Sequence, residues 1–116
     1  MIQVNLSEIL HTYMDILFVS LNPPEKSNEK GHYFSGSWSF WNLLLKSGLI
    51  TKPVKSPLKG DEDVFRKNNI NFKQAIFGIT DLCPEIVQTQ SKSIQIKANQ
   101  VQRILNIYRI RINRKS

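Results

Sequence analysis

Seven residues, Asp15-Ile16-Leu17-Phe18-Val19-Ser20-Leu21, form a compact apolar run that ends abruptly at Asn22-Pro23-Pro24. A run of this length and density is the pattern of a strand buried on both faces, as in parallel sheets. Two prolines cannot continue a hydrogen-bonded ladder, so the chain must leave the sheet there. A second run, Gln74-Ala75-Ile76-Phe77-Gly78-Ile79-Thr80-Asp81-Leu82, ends before Pro84. Parallel strands need crossovers that cover the sheet, so the pair points to an α/β layer arrangement.

Helical spacing occupies the intervals. Residues 5–14 (NLSEILHTYM) put Leu6, Ile9, Leu10 and Tyr13 on one face, with Ser7 near the start. Residues 38–47 (WSFWNLLLKS) repeat that spacing, with Gly48 as the stop and Trp38, Phe40 and Trp41 as expected core anchors. Residues 61–69 (DEDVFRKNN) predict a short helix with acids in its first turn, and a helix near 95–108 carries Ala98, Val101, Leu105 and Tyr108 on one stripe. Residues 25–37, with Gly31 and Gly36, and 51–60, with Pro53 and Pro57, read as loops. Residues 109–116 alternate basic and apolar side chains and read as a basic tail or a weak strand. Two parallel strands do not make a stable sheet alone, so the pattern reads as the first part of something larger.

The 116 residues have room for one domain, and a single cysteine, Cys83, excludes an intrachain disulfide or a cysteine-built zinc site. A reducing, cytoplasmic setting is the expectation. No apolar run approaches the ~18–20 residues of a membrane span, and the N-terminus has no secretory pattern. Sixteen Lys+Arg against nine Asp+Glu give a net charge of +7. That balance favours a polyanionic partner, nucleic acid ahead of an anionic membrane, because phosphate contacts release condensed counterions. A merely well-solvated surface is the alternative.

Ligands of open α/β sheets bind beyond the carboxyl ends of the strands, which directs attention to Leu21-Asn22-Pro23-Pro24 and the loop behind it. Asn22 offers an amide donor and a carbonyl acceptor, suited to hold a water or read a polar ring edge, or simply to form a turn before proline. In Gly31-His32-Tyr33-Phe34-Ser35-Gly36 the aromatics can stack on a base or fold back over the core.

The run Ile16 to Pro24, then Ser27, Gly31-His32-Tyr33-Phe34-Ser35 and Phe40-Trp41, resembles the uracil-DNA glycosylase superfamily, in particular its mismatch-specific uracil/thymine branch. That branch reads G-I-N-P-G, then G-x-x-F-A, then N-x-F-W, and Gly78-Ile79-Thr80-Asp81-Leu82 is similar to its G-[VI]-T-x-L segment. The resemblance implies a three-layer α/β/α fold around a parallel sheet. It also implies a DNA repair enzyme that flips uracil, or a related damaged or mismatched base, out of DNA and hydrolyses its N-glycosidic bond without metal or organic cofactor. By the same resemblance Asn22 falls on the catalytic asparagine that positions the attacking water, and Phe34 on the aromatic that stacks on the flipped base. Ser27 falls on a pocket residue, Leu21 and Ser35 line the base pocket through their backbones, and Thr80 and Asp81 sit at its mouth. His32 and Asp81 are candidate DNA contacts.

The departures are specific. Ser20 and Pro24 stand where the family has glycines, and Ser35 to Ser39 is one residue shorter than the usual spacing. The family's second motif, N-P-S or H-P-S, has no counterpart after Leu82. The resemblance therefore implies roughly the first two-thirds of a domain over residues 1–108, followed by the basic tail. A truncated, catalytically silent homologue with weak nucleic-acid binding is the competing expectation, and an unrelated α/β nucleotide-binding module a third. His11 reads as a surface residue, Cys83 as an inert thiol, Asp61-Glu62-Asp63 as a helix-start acid cluster, and Lys52, Lys55 and Lys59 as a solvated or DNA-tracking loop. No P-loop, Rossmann or Ser-His-Asp order is found.

Overall fold

The two apolar runs pair in parallel as β1 (Ile16–Ser20) and β2 (Phe77–Asp81), in a register running from Ile16 opposite Phe77 to Ser20 opposite Asp81. The structure is a computed structural model that describes residues 4–87 and 95–112. Between the strands lie α1 (Glu25–Lys30), α2 (Trp38–Ser47), a π-helical turn (Glu62–Lys67) and a 3-10 turn (Phe72–Gln74), and α3 (Ala98–Arg111) follows β2. The architecture is mixed α/β, with a two-stranded parallel sheet among the described residues. None of its described helices is long and apolar enough to cross a membrane.

Every residue of β2 is buried, whereas β1 is half-buried with Val19 46% exposed. The difference arises because β2 is flanked on both edges. β1 lies on one side, and Ile9 pairs antiparallel with Ile79 on the other through two backbone hydrogen bonds of 2.9 Å. The core packs against this pair. Phe18 sits edge-on to Phe65 at 5.4 Å and tilted to Phe77 at 5.6 Å. Trp41 lies at 6.4 Å from Phe65, and its indole N–H donates to the Pro57 carbonyl at 3.1 Å.

α2 forms as its spacing predicts. The Ser37 hydroxyl accepts from the Phe40 amide at its start, and Gly48 closes it in the left-handed region. Trp41 and Leu44 are its buried residues, with Phe40 packed against the core, whereas Trp38 is half exposed and anchors nothing.

Residues 5–14 are extended and irregular rather than helical. The Asn28 side-chain oxygen accepts the amides of Asn5 and Leu6, at 2.7 and 3.0 Å, and Ile9 is claimed by β2. Leu6, Ile9 and Met14 therefore reach the core without a helix. The expected loop at 25–37 contains α1, which starts after Pro24 and closes on Gly31 at φ 72°. Residues 62–67 are helical, as expected, but wound as a π turn.

α3 continues through Arg111, into residues expected to begin a basic tail, and two arginines in its last turn complement the helix dipole. The Met14 amide donates to the Arg111 carbonyl at 2.6 Å, and residues 113–116 lie outside the described residues. The apolar stripe Val101, Leu105 and Tyr108 is exposed. The more covered face carries Gln100, Arg103, Ile104, Ile107 and Arg111. Polar anchoring by Arg103 decides this orientation, because its guanidinium bonds Glu8, Thr80 and the Asp81 carbonyl.

Gly78 marks the tightest approach in the sheet. A Cβ there would lie 2.2 Å from Met14 Sδ and 3.0 Å from the Ile9 carbonyl oxygen. Gly78→Ala is expected to lower stability by about 1–3 kcal/mol, read as a lower urea midpoint. An unchanged midpoint would show that the 5–14 segment is not held against β2 as described.

Candidate functional site

The carboxyl ends of β1 and β2 are joined beyond the strands. The Leu82 amide donates to the Ser20 carbonyl at 2.7 Å, and the Cys83 amide to the Leu21 carbonyl at 2.8 Å. Parallel pairing thus carries the two following loops out side by side. Asn22 sits at this seam, 5% exposed, and its amide nitrogen donates to the Ile86 carbonyl at 3.1 Å and the Pro23 carbonyl at 3.3 Å. Leu21 is half-buried, and its carbonyl is used by the sheet extension rather than presented to a pocket. Ser27 is buried in α1, and its carbonyl caps the helix end by accepting the amides of Gly31 and His32.

The loop after Gly31 is tightly held. Phe34 has φ 53°, a left-handed conformation that costs a bulky residue on the order of 1–3 kcal/mol and persists only where the surroundings impose it. Here its carbonyl accepts from the Ser37 amide at 2.9 Å, and its ring lies flat on Phe40, with centroids 3.6 Å apart and planes 9° apart. Trp41 meets the Phe34 ring edge-on at 5.9 Å. The next residue, Ser35, keeps its hydroxyl oxygen buried with no partner at bonding distance. It lines an open cleft of about 330 Å³ with Lys26, Lys30, Gly36, Pro57 and Leu58.

Two carboxylates hold this loop from below: Asp61, read from the sequence only as part of a helix-start acid cluster, and Asp81, expected at the mouth of the site. Asp61, 3% exposed, accepts the Tyr33 amide at 2.9 Å and faces His32 Nδ1 at 3.0 Å. Asp81, 2% exposed, accepts the Tyr33 hydroxyl at 3.2 Å, while its other oxygen has no donor at bonding distance. Burial pushes the Tyr33 phenol well above its usual range, reinforced by the Asp81 charge. Tyr33 therefore bridges the loop after β1 to the end of β2. The aromatic-rich loop signalled its importance in sequence. Nothing in the acid run Asp61-Glu62-Asp63 told which member turns inward.

Thr80 lines no open mouth, whereas Asp81, though buried, borders a cleft. Thr80 is fully buried, and its hydroxyl donates to Glu8 Oε2 at 2.5 Å while accepting from Arg103 Nη2 at 3.3 Å. Arg103 Nη1 also pairs with Glu8 at 2.9 Å. Thr80 is covered because the 5–14 segment and α3 close over the end of β2. A second cleft, about 330 Å³, opens beside them, lined by Ser7, Glu8, Tyr33, Asp81, Pro84 and Arg103. Elsewhere, His11 Nε2 donates to the Phe65 carbonyl at 2.5 Å, a structural contact. Cys83 is fully buried, and burial pushes its thiol up.

Burial raises the carboxyls of both Asp61 and Asp81 above the ordinary range, against opposing contacts from Tyr33 and neighbouring groups. The folded state therefore holds their protons more tightly than the unfolded chain does. Their contribution to stability is complete below the ordinary carboxylate pKa, about 4, and is lost as pH rises through the raised folded values. Asp81→Asn removes one such group, so its urea midpoint is expected to fall less than that of the wild type between pH 4 and 7. Equal falls for the two proteins would contradict the assignment.

No protein-family model matches the chain, and no curated protein matches it.

Proposed function

We propose that the chain is part of a glycosylase domain of the uracil-DNA type, removing uracil or a related mismatched or damaged base from DNA. In this reading β1 and β2 belong to a three-layer α/β/α sheet, and the single cysteine suits a reducing, cytoplasmic setting. The observation that carries the proposal is Phe34, a bulky aromatic held at φ 53° in the loop that follows Asn22 at the carboxyl end of β1. Strained backbone of this kind marks positions where function outweighs local comfort. One ring face lies on Phe40, and such a fixed aromatic is a platform on which a flipped base can stack.

The chemistry follows from the residue types. Cleaving an N-glycosidic bond develops oxocarbenium character on the sugar and negative charge on the departing base. A neutral asparagine suffices where the bond breaks before the water attacks, because its task is orientation. Asn22 would position that water, its amide anchored to Ile86 at 3.1 Å across the seam. The net charge of +7 supplies the attraction to the DNA backbone.

A second reading, a catalytically silent homologue that binds nucleic acid weakly, is favoured by one specific observation. Asn22 is 5% exposed and its amide nitrogen is committed to internal carbonyls.

A single-turnover assay on uracil-containing duplex and single-stranded DNA separates the two. The glycosylase reading expects abasic sites from the wild type and a loss of roughly 10²-fold or more in rate for Asn22→Ala. Phe34→Ala is expected to weaken the reaction by about 1–3 kcal/mol of lost stacking. No abasic sites from a chain shown to be folded by circular dichroism would leave the silent homologue as the reading.

A further inference from the structure

Asp61 is placed by an unusual close passage. A Cβ on the preceding Gly60 would lie 2.5 Å from Cε2 of the Trp41 indole, so only glycine lets the backbone run against that ring. The result is a carboxylate, 3% exposed, directly beneath the loop that carries Phe34. Its two oxygens meet two successive residues of the loop: Oδ1 faces His32 Nδ1 at 3.0 Å, and Oδ2 accepts the Tyr33 amide at 2.9 Å. Burying a carboxylate is costly unless it is fully paired, and these contacts are what the burial secures.

We propose that Asp61 is the positioning residue of the Gly31–Gly36 loop, and that it sets His32 to contact a phosphodiester of the bound DNA. The inference rests on the DNA reading above. When Asp61 is ionised its oxygens only accept, so the proton on this edge of the ring then belongs to Nδ1. Nε2 is the other ring nitrogen, no partner meets it among the described residues, and the His32 side chain is 21% exposed. In its charged form the ring presents Nε2–H as a donor to a phosphate oxygen, a contact that fixes register rather than sequence.

The test is fluorescence anisotropy of a labelled uracil-containing duplex with the full chain at one fixed pH and salt, using wild type, His32→Ala, Asp61→Asn and the double variant. Each single change is expected to weaken binding roughly three- to tenfold. The double variant is expected to match the weaker single within about twofold, because Asp61 acts through His32. A merely structural clamp gives multiplying effects, and that outcome overturns the proposal. So does His32→Ala binding as tightly as the wild type, which leaves the DNA reading intact. A folded wild type that binds no duplex overturns the DNA reading and the phosphate contact with it. Should Asp61→Asn fail to fold, imidazole ¹⁵N resonances of the wild type decide. Nδ1 is expected to be protonated and the Nε2 resonance to move on adding the duplex, and a stationary Nε2 overturns the proposal.

Discussion

β2 has two edges and both are taken, which makes the parallel pairing of Phe77–Asp81 with Ile16–Ser20 the interaction on which the rest of the chain depends. On its far edge Ile9 adds an antiparallel bridge to Ile79, and Gly78 admits Met14 at a distance no side chain would tolerate. With β2 buried along its whole length, its backbone groups must be paired within the protein. The pairing runs on past the strands, through Leu82 to Ser20 and Cys83 to Leu21, so the two following loops leave the sheet together. The candidate site exists because of that shared exit.

Two ties fix that adjacency. Asn22 reaches across to Ile86, and Tyr33 reaches across to Asp81, each linking the loop after β1 to the segment ending β2. Asp61 adds a third hold from the middle of the chain, at two successive residues of the loop. Together they support Phe34 in a conformation that a free loop would not keep. Local strain sustained by buried polar contacts is a costly arrangement, and its position beyond the strand ends is where open α/β sheets bind ligands.

How much of this was legible in the sequence depended on whether the deciding partner was near or far along the chain. β1, β2 and α2 were readable because density, proline stops and Gly48 are local signals. Residues 5–14 misled because their apolar spacing suits a helix, while the deciding partners, Asn28 and Ile79, lie 22 to 70 positions away. α1 was hidden by its polar composition and flanking prolines. The α3 stripe pointed the wrong way because Arg103, not an apolar side chain, fixes that helix to the body. At the site, Asn22 and Phe34 stood out by motif. Asp61 did not, since an inward turn of one acid among three depends on Gly60 passing against Trp41. Thr80 was expected at an open mouth and is instead buried and bonded to Glu8 of the misread 5–14 segment, while Asp81 borders a cleft.

The central claim is that the loops after β1 and β2 form one surface that receives DNA. Backbone amide resonances of the ¹⁵N-labelled chain, followed while a uracil-containing duplex is added, address it directly. The account predicts that shifts concentrate on residues 21–36 and 80–86. Shifts concentrated on the Lys52–Lys67 region, or confined to the exposed face of α3, would contradict it.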